Sequence, residues 1–254
     1  MNTVSGTVAV FGGSGRLGRT IVARLARAQR VRFSYHSQGD AAAALAAELR
    51  AQGRDVDAAR VDLRDADAVE RFVQDTAAID GRLAGVVSAS GNHFAVAPLH
   101  ETPAAELRRV LDVDVMGSFH VLQSATRCMA RQAGGGAIVV LLTAAVMRTA
   151  IYDGMSAIPK AAVATMIRQL ARDAGVHDVR CNGVAPGVVR TDKVANLAAV
   201  DPYRRKLIEA FIEDTPLGRF NDPEGIATLC GFLLSDAARD ISGQIIGADG
   251  GYSA

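Results

Sequence analysis

Short apolar runs alternate along the chain with stretches in which apolar residues recur every three or four positions. Thr7–Phe11 (TVAVF), Val31–Tyr35, Val56–Val61, Gly85–Ser88, Ala137–Leu142, Val179–Val184 and Gln244–Ala248 are the predicted strands. Several are nearly continuous in Val, Ile and Leu, the pattern of parallel strands buried on both faces. Among the predicted helices are Leu17–Arg27, Ala41–Gln52, Val113–Gln132 and Pro159–Ala174. Strands alternating with helical crossovers predict an α/β fold: a doubly wound parallel sheet with helices on both faces. No internal repeat, charge block or Pro/Gly/Ser-rich linker divides the chain, so residues 1–254 are expected to form one domain.

Composition narrows the function classes. A hydrophobic content of 49% over 254 residues suffices for a full core. A net charge of +1 gives no electrostatic reason to expect nucleic acid or an acidic membrane as partner. No apolar run is long enough to span a bilayer, and the opening MNTVSGTVAV lacks the pattern of a signal peptide. Cys128, Cys181 and Cys230 are scattered and match no histidine at metal spacing. They are expected to be reduced thiols of a cytoplasmic protein, and no metal site is expected.

The first strand runs straight into Gly12-Gly13-Ser14-Gly15-Arg16-Leu17-Gly18, followed by a helix. Glycines there let the backbone turn tightly and approach a pyrophosphate, while the helix start presents free N–H groups and its positive end. The turn opens a β-α-β chain, so a Rossmann-type dinucleotide site is expected there. The second strand ends at Ser34-Tyr35-His36-Ser37 without the acid that would bond the ribose diol of NAD; the next acid is Asp40. His36, Ser37 and Arg16 suit a 2′-phosphate, which favours NADP(H) over NAD(H); polar residues at a strand end are the competing reading.

With these residues in view, the chain resembles the short-chain dehydrogenase/reductase family, of the compact single-domain kind, over almost its whole length. Asp62-Leu63 stands where that family holds the adenine, and Ser88-Ala89-Ser90-Gly91 where it usually has Asn-Asn-Ala-Gly. The run from Arg180 through Asn182 to Pro186 and Gly187 resembles the family's turn beside the nicotinamide. The resemblance implies cofactor contacts at Val189 and Thr191 as well. Pro216-Leu217-Gly218-Arg219, Ser242-Gly243-Gln244 and Asp249-Gly250-Gly251 match the family's tail. The resemblance further implies a small-molecule substrate, a lid around residues 193–214, and a homodimer or homotetramer. The long helices and the C-terminal strand would build that assembly.

The catalytic positions depart from the family. Its active members carry Ser, Tyr and Lys, with twelve residues between the first two and three between the last two; an Asn on the preceding long helix completes a proton relay. By that spacing Lys160 fits, but Ser156 stands at the tyrosine position, Thr143 at the serine position and Asp114 at the asparagine position. An alkyl hydroxyl is a far weaker acid than a phenol. Pro159 suits only the first turn of a helix, so Ser156 is expected at or just before an N-cap. Tyr152 either replaces the lost acid or lines the substrate pocket. Thr143 either binds a substrate oxygen or packs at its strand end, and Asp114 either holds a water or caps backbone groups. Asn92 and His93 face either the pocket or solvent. Two functions follow: an NADP(H)-dependent oxidoreductase on a carbonyl or alcohol with a non-standard or weakened proton donor, or a cofactor-binding protein without redox activity, such as a sensor or silent subunit.

Overall fold

The structure, a computed structural model, describes residues 6–91, 93–190 and 201–254. Seven parallel strands form one sheet in the order β3-β2-β1-β4-β5-β6-β7. They are β1 (Thr7–Phe11), β2 (Val31–Tyr35), β3 (Val56–Arg60), β4 (Leu83–Ser88), β5 (Gly136–Leu141), β6 (Val179–Pro186) and β7 (Ile245–Ala248). The strand order reverses between β1 and β4, and the carboxyl ends of strands at such a switch point open into a crevice. All seven predicted strands are present, two with the expected ends and the others with ends displaced by at most two residues.

Alternation along β1 divides the core. Val8 and Val10 point into a cluster with Ile21 and Val22 of α1 (Arg16–Leu25), Leu45 of α2 (Gly39–Ala51) and Leu233 of α8 (Pro223–Leu234). Ala9 and Phe11 point to the other face, against Phe72 of α3 (Ala66–Asp80), Val121 of α5 (Gly117–Met129) and Ile167 of α6 (Gly154–Asp173). A smaller cluster of Val96, Ala144, Leu207, Phe211 and Tyr252 seats α7 (Pro202–Glu213) over one end of the sheet. The expected lid at 193–214 is described only from residue 201 onward, where it is mostly α7.

Two helices differ from their sequence reading. The predicted helix Val113–Gln132 is the end of a longer run: α4 (Ala104–Leu111) continues through a π-helical turn, Asp112–Met116, into α5. The extra residue in that turn carries Asp114 into the interior. The helix expected to begin at Pro159 begins at Gly154 instead, with Asp153 as its N-cap and Pro159 inside it. Pro159 removes the N–H that would bond the Met155 carbonyl. Burial of Met155, Pro159, Val163 and Ile167 along one face offsets that loss, since each large apolar side chain contributes about 1.5–3 kcal/mol.

Candidate active site

A cavity of about 820 Å³ lies at the carboxyl ends of the strands. One wall is the turn after β1 and the start of α1, formed by Ser14, Gly15, Arg16 and Leu17. Gly12 has φ +75° and its N–H donates to Ser34 Oγ at 3.2 Å. A Cβ on Gly18 would lie 2.0 Å from the Gly12 carbonyl oxygen, so only glycine lets α1 close on the turn. Gly12 and Gly18 thus shape the turn and do not line the cavity. Gly15 is the N-cap of α1 and offers no capping side chain, so the first-turn N–H groups are left to a ligand. This uncapped, glycine-built terminus facing a large cavity fits a dinucleotide pyrophosphate.

The same wall continues through Ser37 and Asp40 at the start of α2, with Arg19 beside Arg16. His36 does not line it; its ring is exposed, with Nε2 3.5 Å from Asp62 Oδ2. Asp62 is gripped by the Arg64 guanidinium at 2.6 Å, which holds its carboxyl far below the usual range. Leu63 is buried in the core. Ala89, Gly91, Pro186, Gly187 and Val189 line the cavity, and the Ser90 carbonyl faces Lys160. Thr191 and Asn92 lie outside the described residues. Arg180 and Asn182 serve the framework instead. They bond the carbonyls of Leu233, Ser235 and Ile241, tying the C-terminal part of the chain to β6.

The opposite wall is built by α6, the end of β5 and α7. Lys160 is buried, with Nζ 3.3 Å from the Ser90 carbonyl and 3.7 Å from Asp114 Oδ2. Asp114, itself 3% exposed, therefore reaches the lysine directly. Thr143 lines the cavity while its Oγ1 accepts from the Ala145 N–H at 3.3 Å. Ser156 is not a cap: it sits in the first turn of α6, its N–H bonds the Asp153 carbonyl at 3.1 Å, and its side chain lines the cavity. The expectation of a capping serine fails because the helix starts earlier and Asp153 takes the cap position. Tyr152, at φ +59°, is not among the cavity-lining residues; its ring packs edge-on against Tyr203 of α7, centroids 5.1 Å apart. His93 does line the cavity.

Several lining residues went unnoticed in the sequence, Asp153 and Arg204 among them. Asp153 is 6% exposed, and burial pushes its carboxyl up to about 7 against the pull of Arg204. Residues 153, 156 and 160 are spaced three and four apart, one face of a helix. That spacing was the available signal, obscured by the expectation that the helix began later.

Residues 17–253 match the family model described as enoyl-(acyl carrier protein) reductase. Curated relatives include the L-rhamnose 1-dehydrogenase (NAD(P)(+)) of Sphingomonas sp. strain SKA58, 31% identical over 96% of this chain and 95% of that protein. The levodione reductase of Leifsonia aquatica is 31% identical over 97% and 94% respectively. A short-chain type dehydrogenase/reductase from Mycobacterium ulcerans superimposes with a TM-score of 0.91 at 32% identity, covering 100% of this chain and 91% of its own. The chain belongs to the short-chain dehydrogenase/reductase family. It is accordingly an oxidoreductase by type, and its sheet is the Rossmann-type sheet of that family.

Other groups in this short-chain dehydrogenase/reductase are unsuited to chemistry. Cys181 and Cys230 are buried free thiols pushed up to about 12 by burial. Among the described residues no cluster of His, Cys, Asp or Glu could hold a metal ion, and no helix is long and apolar enough to cross a membrane.

Proposed function

We propose that the protein is an NADP(H)-dependent oxidoreductase that interconverts a carbonyl and an alcohol with a proton donor other than the family's tyrosine. The observation that carries this reading is the position of Lys160. Buried between the Ser90 carbonyl and Asp114, it stands on the same helix face as Ser156, which opens on the cavity together with Thr143.

The start of α1 would hold the pyrophosphate through Ser14, Gly15 and Leu17. Ala89, Gly91, Pro186, Gly187 and Val189 would flank the nicotinamide end, and Lys160 would reach the ribose hydroxyls. The bound dinucleotide supplies hydride exchange with a substrate carbon. Arg16, Arg19 and Ser37 outweigh the single carboxylate of Asp40 along that wall, and together they suit the 2′-phosphate of NADP(H). Thr143 would hold the substrate oxygen, and α7, through Arg204, Leu207 and Phe211, would close over the substrate. The names of the rhamnose and levodione relatives suggest a small cyclic or polyhydroxy substrate. Met116 and Phe119, exposed at the start of α5, support a homodimer or homotetramer built through the long helices. The free thiols suit a reducing compartment such as the cytoplasm.

The test is NADPH and NADH binding by fluorescence titration, followed by turnover on a panel of carbonyls and alcohols. Tighter NADPH binding with measurable hydride transfer is expected. NADPH bound tightly with no turnover on any member would favour the non-redox alternative.

A further inference from the structure

We propose that Asp153 is the proton source of this active site, passing its carboxyl proton to the substrate oxygen by way of the Ser156 hydroxyl. The inference rests on the oxidoreductase reading and supplies the group that the missing tyrosine leaves open.

Position is the first argument. Asp153 caps α6, Ser156 and Lys160 follow it at helical spacing, and a rise of about 1.5 Å per residue sets Ser156 about 4.5 Å along the axis from Asp153. Both Asp153 and Ser156 line the cavity that Thr143 also lines. A phenol at position 156 would have projected into this space; a serine leaves room there, and the carboxyl one turn earlier borders the same space.

Partnering is the second. An aspartate at an N-cap ordinarily accepts a backbone N–H from the first turn. Asp153 makes no such side-chain bond; the Ser156 and Ala157 N–H groups go to its backbone carbonyl instead, at 3.1 and 2.9 Å. Among the described residues its carboxyl has no hydrogen-bond or ion-pair partner, though it is more than nine-tenths buried. A buried carboxylate without a partner is unfavourable, so the group keeps its proton far above the ordinary aspartate range. The groups facing it are Arg204 from α7, whose attraction burial outweighs, and the Tyr252 phenol from the C-terminal segment. Behind Tyr252 stand Arg148, Asp214 and Asp249, while Lys160 farther along α6 is matched by Asp114. None of these is within bonding range of the Asp153 carboxyl.

The Ser156 hydroxyl is too weak an acid to act alone, but a hydroxyl accepts one proton while donating another. In the reducing direction, a bound reduced nicotinamide would supply the hydride to the substrate carbon, and the carbonyl π pair would move to oxygen. Once the Asp153 side chain rotates to within bonding distance of Ser156, that oxygen takes the Ser156 proton as Oγ takes the proton of Asp153, leaving an aspartate that is reprotonated from solvent. Oxidation of the alcohol runs the same transfers backward, with Asp153 beginning as carboxylate.

The test combines turnover with a measurement on the protein alone. Wild-type reduction is expected to fall as pH rises through about 7, because the acid is lost. Asp153→Asn is expected to reduce the rate about 10²–10⁴-fold and to abolish that limb, and Asp153→Glu to restore much of both. In the protein without cofactor, the infrared difference between wild type and Asp153→Asn should show a protonated carboxyl that disappears near pH 7. Thermal stability should agree in sign. With the folded group raised, its stabilisation is full below about pH 4 and lost as pH rises through about 7, a slope absent in Asp153→Asn. An unchanged rate and pH profile in Asp153→Asn, or a carboxyl titrating near 4, would overturn the proposal while leaving the oxidoreductase reading intact. A wild type inert toward every carbonyl would remove both. Should the Asn variant fail to fold, the Glu variant and the wild-type profile still decide.

Discussion

The two walls of the cavity are built from different material. The wall proposed for the cofactor is shaped by backbone: the turn at Gly12 and the helix closing on it at Gly18 lie behind it, and Gly15 leaves its helix terminus uncapped. The wall proposed for catalysis is side chain, drawn from Thr143 after β5, Asp153 and Ser156 at the start of α6 and Arg204 on α7, with the buried Lys160–Asp114 pair outside the lining. A backbone wall tolerates little change, since a single Cβ at Gly18 would require the turn to move. A side-chain wall can exchange its chemistry while the helices stay in place. With a serine at position 156, Lys160 four residues on is buried against the Ser90 carbonyl, and Ser156 shares the cavity with a buried acid. Binding and proton transfer are thus separable in this fold, and substitutions on each side can show how far.

The largest effect is expected on the catalytic wall, where charge is buried. Lys160→Met removes the ammonium 3.7 Å from the buried Asp114, leaving Arg109 as the charge that still acts on it, and should cost about 3 kcal/mol in urea unfolding. Asp114→Asn in the same protein should recover most of that. A Lys160→Met protein as stable as wild type would show that the 3.7 Å pair contributes little.

On the cofactor wall, Gly18→Ala should cost about 3 kcal/mol through overpacking and weaken NADPH binding in parallel. Loss of stability without loss of affinity would mean that the turn can shift and still cradle a phosphate. Ser156→Tyr restores a phenol four residues before Lys160 and should raise carbonyl reduction about 100-fold, measured as kcat, with NADPH affinity unchanged. A fall in rate would show that the phenol blocks the space bordered by Asp153. The smallest expected effect is at Arg16: its change to Ala should weaken NADPH about tenfold, the worth of one charge-assisted bond near 1.5 kcal/mol, and leave NADH nearly unaffected. Equal losses for both dinucleotides would place Arg16 on the pyrophosphate instead.

Much of the cofactor wall is legible in the amino-acid order alone. Hydrophobic runs locate all seven strands, because strands buried on both faces leave an unmistakable local pattern. The glycine turn is legible because its constraint acts within a few residues. The catalytic wall is half legible. Spacing singles out Lys160, Ser156, Thr143 and Asp114 as candidates, but it misplaces the first turn of α6 at Pro159. The rule that proline belongs at a helix start is outweighed by burial of the face carrying Met155, Val163 and Ile167. That misplacement hides Asp153, which reads as an ordinary loop acid until the helix is known to begin beside it.

Local pattern therefore determined the strands, their parallel arrangement and the turn that receives a dinucleotide, each encoded over five to ten residues in hydrophobic alternation or glycine placement. Tertiary structure alone decided which polar groups were buried and which charges they met. Burial and charge are sums over neighbours distant in sequence. Asp153 is shielded beside Arg204 and Tyr252, and Asp114 meets Lys160 across two helices. A carboxyl's readiness to hold a proton is set by those neighbours and by the water they exclude, and no window of sequence contains them.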